Sequence, residues 1–152
     1  MQRQQTDNGS SHSLRSPQVW AVGGGKGGIG KSVLSILIAM ALAEKGKETV
    51  VIDGDLGGAN LHTFMGIRTP GRTLNDFIGR RYGTLDEVCI GTEQKRLRII
   101  CGASEVLTMA NLKYTQKTKI LQAIAKIEAD HVVLDLGAGT GFNTLDFFLS
   151  AH

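Results

Sequence analysis

The chain has 152 residues, 41% apolar and 20% charged, with a formal net charge of +3 and an isoelectric point near 9.0. That suits one packed, water-soluble domain, and the longest apolar run, Val33 to Ala43, is too short to cross a bilayer. The two cysteines, Cys89 and Cys101, lack C-x-x-C spacing, which argues against a metal cluster or a disulfide framework and for a reducing cytoplasm.

Residues 1–17 are rich in Gln, Ser and Asn and have no apolar stretch of the kind a secretory signal needs. A disordered N-terminal arm is expected there. The mild positive charge is compatible with nucleotide, nucleic acid or an anionic membrane and selects none of them. Arg80-Arg81 and Lys95-Arg96-x-Arg98 are the densest basic spots, and without interleaved aromatics they read as solvated surface.

Val19 to Val22 reads as a short buried strand, and Ser32 to Glu44 as a helix. Between them lies Gly23-Gly24-Gly25-Lys26-Gly27-Gly28-Ile29-Gly30-Lys31-Ser32, which fits G-x-x-x-x-G-K-[ST] from Gly25 to Ser32. A triphosphate is wrapped by backbone N–H groups, so the chain must approach closely and turn sharply, which glycine permits. The start of the following helix completes the anion nest. Gly25, Lys26, Gly27, Gly28, Ile29, Gly30, Lys31 and Ser32 are the expected phosphate-binding residues. Lys31 is expected to reach the β- and γ-phosphates and Ser32 to ligate Mg²⁺.

Lys45-Gly46-Lys47 reads as a helix stop. Thr49 to Ile52 is a β-branched run, expected as a buried parallel strand. It leads into Asp53 and Asp55, at the strand end where ligands bind in parallel sheets. A carboxylate there can orient water or support a metal. Short helices are expected at Leu61–Gly66 and Thr73–Ile78. Thr84-x-x-Glu87 has the form of a capping box opening a third. Leu97 to Gly102 is the next expected strand. Residues 104–128 read as helix, in one or two pieces, with Ile120, Leu121, Ile124 and Ile127 as the core stripe. His131 to Gly139 is the last strand and loop, and Asp135 ends its apolar run as a second metal-supporting carboxylate would. Gly137, Gly139 and Gly141 follow, as a mobile loop near the γ-phosphate.

The second lysine of the loop, in Lys26-Gly27-Gly28-Ile29-Gly30-Lys31-Ser32, resembles the deviant Walker A motif of the MinD/ParA family of ATPases. Asp53-Gly54-Asp55 resembles that family's switch I, and Asp135-Leu136-Gly137-Ala138-Gly139 its Walker B and switch II. The string Asp55-Leu56-Gly57-Gly58-Ala59-Asn60-Leu61 looks closest to the MinD and flagellar-number regulator (FlhG-type) branch. The resemblance implies an α/β P-loop NTPase with a mostly parallel sheet and helices on both faces. Residues 18–152 are expected to be the N-terminal portion of such a domain, truncated at the C-terminus. Lys26, Lys31 and Asp55 are the implied catalytic residues, and Ser32, Asp53 and Asp135 the implied metal residues.

The implied function is a slow, ATP-dependent homodimeric switch that uses Mg²⁺, hydrolyses ATP to ADP and phosphate, and positions a septum, flagellum or similar cargo. It would act in the cytoplasm, with peripheral contact to the inner membrane face through a segment beyond His152. Its protein partner is not legible, and DNA binding stays open. Other classes also remain open: an iron–sulfur assembly carrier, a nonhydrolysing nucleotide-binding module and, more weakly, a protein tyrosine kinase.

Overall fold

A computed structural model of the chain describes residues 16–55, 60–102 and 113–138. The elements run β1 (Gln18–Gly24), α1 (Lys31–Glu44), β2 (Thr49–Asp53), α2 (Leu61–Phe64), α3 (Leu74–Ile78), a 3₁₀ turn (Asp86–Val88), β3 (Ile90–Gly91), β4 (Leu97–Ile100), α4 (Tyr114–Ile124) and β5 (His131–Ala138). The strands form one sheet in the order β1-β5-β2-β4-β3, with all neighbours parallel except β3 and β4.

Alternation along the central strands sends side chains to two layers. Val50 and Ile52 of β2, with Val132 and Leu134 of β5, face Leu74 and Phe77 of α3 and Ile120 and Ile124 of α4. Val51 and Val133 face the other way, against Ile36, Ala39 and Ala43 of α1 and Leu61 of α2. Both faces are therefore covered by helices, as expected of a buried parallel sheet. Residues 53 and 135 stand two positions beyond Val51 and Val133. The same alternation aims them at the α1 layer.

Local signals explain where the elements stop. Gly46 has φ +81°, its N–H donates to Ala43 O at 2.9 Å, and Lys47 N–H donates to Leu42 O at 3.2 Å. That pairing ends α1 in a Schellman motif, which a residue with a Cβ would strain. Thr73 caps α3, and Asp76 reaches back to the Thr73 N–H at 2.9 Å.

Several elements differ from the sequence reading. The reciprocal Thr84–Glu87 contacts form, but they open only a single 3₁₀ turn. β3, a two-residue antiparallel strand, was not expected, because two residues carry no period. The expected 104–128 helix is observed as Tyr114–Ile124, with residues 103–112 outside the described set. Ile127 is still buried, but in the turn after α4 rather than on it. Within the apolar run Val33–Ala43, Val33, Leu34 and Leu37 face solvent among the described residues, since a helix on a sheet buries only one of its faces. The arm up to residue 15 and the Gly139–Gly141 part of the last loop also lie outside the described residues.

Candidate nucleotide site

Because β1, β2 and β5 are parallel, the segments that follow them emerge at one edge of the sheet. Gly24 pairs with Ala138, and Asp53 pairs with Asp135 on the adjacent strand. The glycine loop, Asp53 to Asp55 and Asp135 are thereby gathered beside the start of α1.

Residues 25–30 form an exposed loop, with Gly28 at φ +72° and Gly30 at φ +84°. Gly30 is the N-cap of α1 and makes no side-chain cap hydrogen bond. The first N–H groups of a 14-residue helix thus meet no capping side chain at the mouth of the loop, an arrangement that suits an anion. The Lys31 ammonium donates to the Lys26 carbonyl at 2.8 Å, folding back over the loop that the sequence expects to hold phosphate. Lys26, an exposed residue, lies on the loop rim.

Asp53 and Asp135 are only 1% and 2% exposed. Asp53 accepts the Asp55 N–H at 3.2 Å on one oxygen and the Leu61 N–H at 3.1 Å on the other. It thus ties together both ends of the loop that carries Asp55. Burial, with the neighbouring Asp135 and Asp55 carboxylates, pushes Asp53 up to about 7, against the lowering effect of those two amides. Burial also raises Asp135, with Asp55 adding to the rise, while hydroxyl donors on Ser32 and Ser35 and the Lys31 charge oppose it. Two adjacent buried carboxylates held above their usual range favour a cation between or beside them. Among the described residues, no three His, Cys, Asp or Glu side chains gather into a metal cage. Magnesium in phosphate sites needs no such cage, since one or two carboxylates and the phosphates suffice. The donor set therefore fits such an ion.

The structure brings together Lys31, Ser32, Asp53, Asp55 and Asp135. Two further residues were not singled out from the sequence. Ser35 is fully buried and donates to Asp135 Oδ1 at 3.0 Å. Its one sequence signal is the four-residue spacing from Lys31. Gly54 approaches β5 closely, its N–H donating to the Asp135 carbonyl at 2.8 Å. A Cβ on Gly54 would stand 2.9 Å from that carbonyl oxygen, so the constraint is space. Gly54→Ala is expected to destabilise the chain by about 1–3 kcal/mol and to move Asp55 away from Lys31. Chemical denaturation and nucleotide binding check this, and an unchanged denaturation midpoint would refute the close approach.

A family model described as the NUBPL iron-transfer P-loop NTPase model of ParA matches residues 16–150. The chain belongs to the ParA family of P-loop NTPases. Antiactivator FleN of Pseudomonas aeruginosa is 38% identical to this ParA-family chain over 142 residues, covering 92% of the chain and 50% of FleN. Septum site-determining protein MinD of Escherichia coli K12 is 35% identical over 124 residues, covering 80% of the chain and 45% of MinD. The chain thus spans about half the length of the curated relatives it matches. MinD of Pyrococcus horikoshii, solved with Mg-ADP, superposes with a TM-score of 0.71 at 23% identity, covering 89% of this chain and 55% of that one. A plasmid partition protein of Borrelia burgdorferi superposes with a TM-score of 0.74 at 18% identity, covering 90% and 62%. At those identities the solved structures speak for the fold alone, and they agree with the α/β P-loop architecture. Among the described residues no helix is long and apolar enough to cross a membrane.

Proposed function

We propose that this chain binds ATP with Mg²⁺ and hydrolyses it slowly to ADP and phosphate, as the switch of a positioning system. The observation that carries this reading is one juxtaposition. A glycine loop ending in an uncapped helix start stands over a buried aspartate pair, with Lys31 and Ser32 between them. The loop amides from Gly25 to Ser32 cradle the phosphates. Lys31 exchanges the Lys26 carbonyl for phosphate oxygens, and Lys26 adds a second cation from the rim. Ser32 and Asp135 would hold the metal, with Asp53 supporting them from behind. Mg²⁺ bound there would offset the negative charge of the phosphates. Asp55 orients a water whose oxygen bonds to the γ-phosphorus while the bridging oxygen leaves with ADP. The water's proton passes to Asp55 or to the departing phosphate.

The relative named septum site-determining protein MinD supports an output in placement; a septum, flagellum or similar cargo and an ATP-dependent homodimer as the active form belong to the same proposal. The site of action is the cytoplasm or the inner membrane face. Size-exclusion mass with and without ATP and Mg²⁺, run beside phosphate release, tests this. A dimer that appears with ATP and is lost in Lys26→Ala is expected. ATP binding with neither dimer nor hydrolysis would leave only a binding module.

One observation favours a second reading, the iron-transfer description of the matching family model. Metal carriage needs accessible thiolates. Cys89 and Cys101 are both buried, and burial pushes each thiol up to about 11. Neither thiol is therefore placed to carry iron, and a carrier reading would rest on residues other than these two.

A further inference from the structure

We propose that Ser35 is a positioning residue that sets the orientation of the Asp135 carboxylate toward the metal; this rests on the magnesium-nucleotide reading above. Ser35 lies one turn into α1 beyond Lys31, with none of its surface exposed. It is therefore too deep to touch a ligand. Its Oγ is 3.0 Å from Asp135 Oδ1 and 3.0 Å from the Lys31 carbonyl. A hydroxyl has one hydrogen to give. The Lys31 carbonyl is also the acceptor that helix geometry assigns to the Ser35 N–H. An ionised carboxylate is the stronger acceptor, so in that state the hydrogen goes to Asp135.

Ser32 also donates to Asp135, but from the mouth of the site, where its oxygen is wanted by the metal. Ser35 has no such second duty. It pins Oδ1 to the helix and leaves Oδ2 for the ion and its water shell. Without it, the carboxylate is free to turn toward Lys31 at the mouth, away from Asp53 and Asp55, whose charges it shares the site with. Ligand orientation by a buried donor of this kind typically matters about tenfold or more in metal affinity.

The test is binding of N-methylanthraniloyl-ADP to the full chain, followed by fluorescence while MgCl₂ is titrated. Ser35→Ala is expected to need about tenfold more Mg²⁺ for half-maximal tightening, with Mg²⁺-free affinity unchanged because the loop is untouched. Ser35→Thr keeps the hydroxyl and is expected to stay within about twofold of the wild-type midpoint. Alanine is a better helix former than serine, so α1 persists. If thermal melting shows that Ser35→Ala does not fold, Ser35→Cys, similar in size and a weak donor, takes its place with the same reading. A wild-type midpoint in the alanine variant, or equal shifts in alanine and threonine variants, would overturn the role of the hydroxyl. Wild-type binding with no Mg²⁺ dependence would instead overturn the magnesium reading itself, and this proposal with it.

Discussion

Asp55→Ala is expected to slow ATP hydrolysis by about two to three orders of magnitude while changing ATP affinity by less than about threefold. Asp55 follows the end of β2, half-buried, on a loop whose two ends are held by the Asp53 carboxylate. In the proposed site, phosphate binding falls to other groups: the loop amides, Lys31 and the start of α1. On that proposal, removing Asp55 removes an interaction made with the attacking water, which appears in the chemical step and not in binding. Single-turnover phosphate release and nucleotide binding, measured on the same preparation, separate the two. A rate loss under tenfold would take water positioning away from Asp55. A parallel loss of affinity would make it a binding residue. The dimer should survive in this variant, unlike in Lys26→Ala, because the loop lysine stays in place.

Without nucleotide or divalent cation, the chain is expected to lose about 2–3 kcal/mol of stability between pH 5 and pH 8. Asp53 is the cause. Its folded-state pKa is about 7 against an ordinary 3.8. Below 3.8 the group is protonated in both states and its stabilising contribution is complete. Above that value the unfolded chain ionises freely. The folded chain must keep its proton or bury a charge beside Asp135, and the loss is complete above about 7. Asp135, raised by the same burial, acts in the same direction.

Two surface carboxylates act oppositely. For Asp76, partial desolvation is outweighed by hydrogen bonds from Thr73 and by Arg81. Glu87 is held low by the Thr84 and Gly83 amides. What those two contribute is present above the ordinary carboxylate range and lost only in acid, so it stays constant from pH 5 to 8. Asp53→Asn, neutral at every pH, is expected to flatten the slope. It should be less stable than wild type at pH 5, where Asn keeps one amide acceptor of two, and to draw level by pH 8. Urea unfolding at pH 5, 6.5 and 8 checks this. A slope undiminished in the variant would place the proton elsewhere.

The glycine loop and the helix that follows it were legible in the sequence because their parts are contiguous. Backbone amides, glycine conformations, Lys31 and Ser32 all come from one segment, whose spacing matches the pattern expected of a phosphate loop. β2, β5 and the Gly46 stop were legible for a similar reason, since β-branched runs and a glycine at φ +81° are local choices. The extent of the fourth helix and the two-residue strand β3 were not. One depends on where packing ends a weak pattern, and the other is too short to have a pattern at all.

Asp53, Asp55 and Asp135 could each be picked out as a carboxylate near a strand end. Only the tertiary structure decided that Asp53 and Asp135 are register partners on adjacent strands. Burial lifts both above their usual range, helped by the Asp135 charge at Asp53 and by the Asp55 charge at Asp135, and two strand ends become one cation-seeking pair. Gly54 and Ser35 belong wholly to that level. A glycine between two aspartates and a serine inside an apolar helix carry no period or motif of their own. Their roles come from what stands opposite them, a β5 carbonyl for Gly54 and the Asp135 carboxylate for Ser35. Local sequence sets what a segment can do, and the parallel sheet, by delivering distant segments to one edge, sets what they do together.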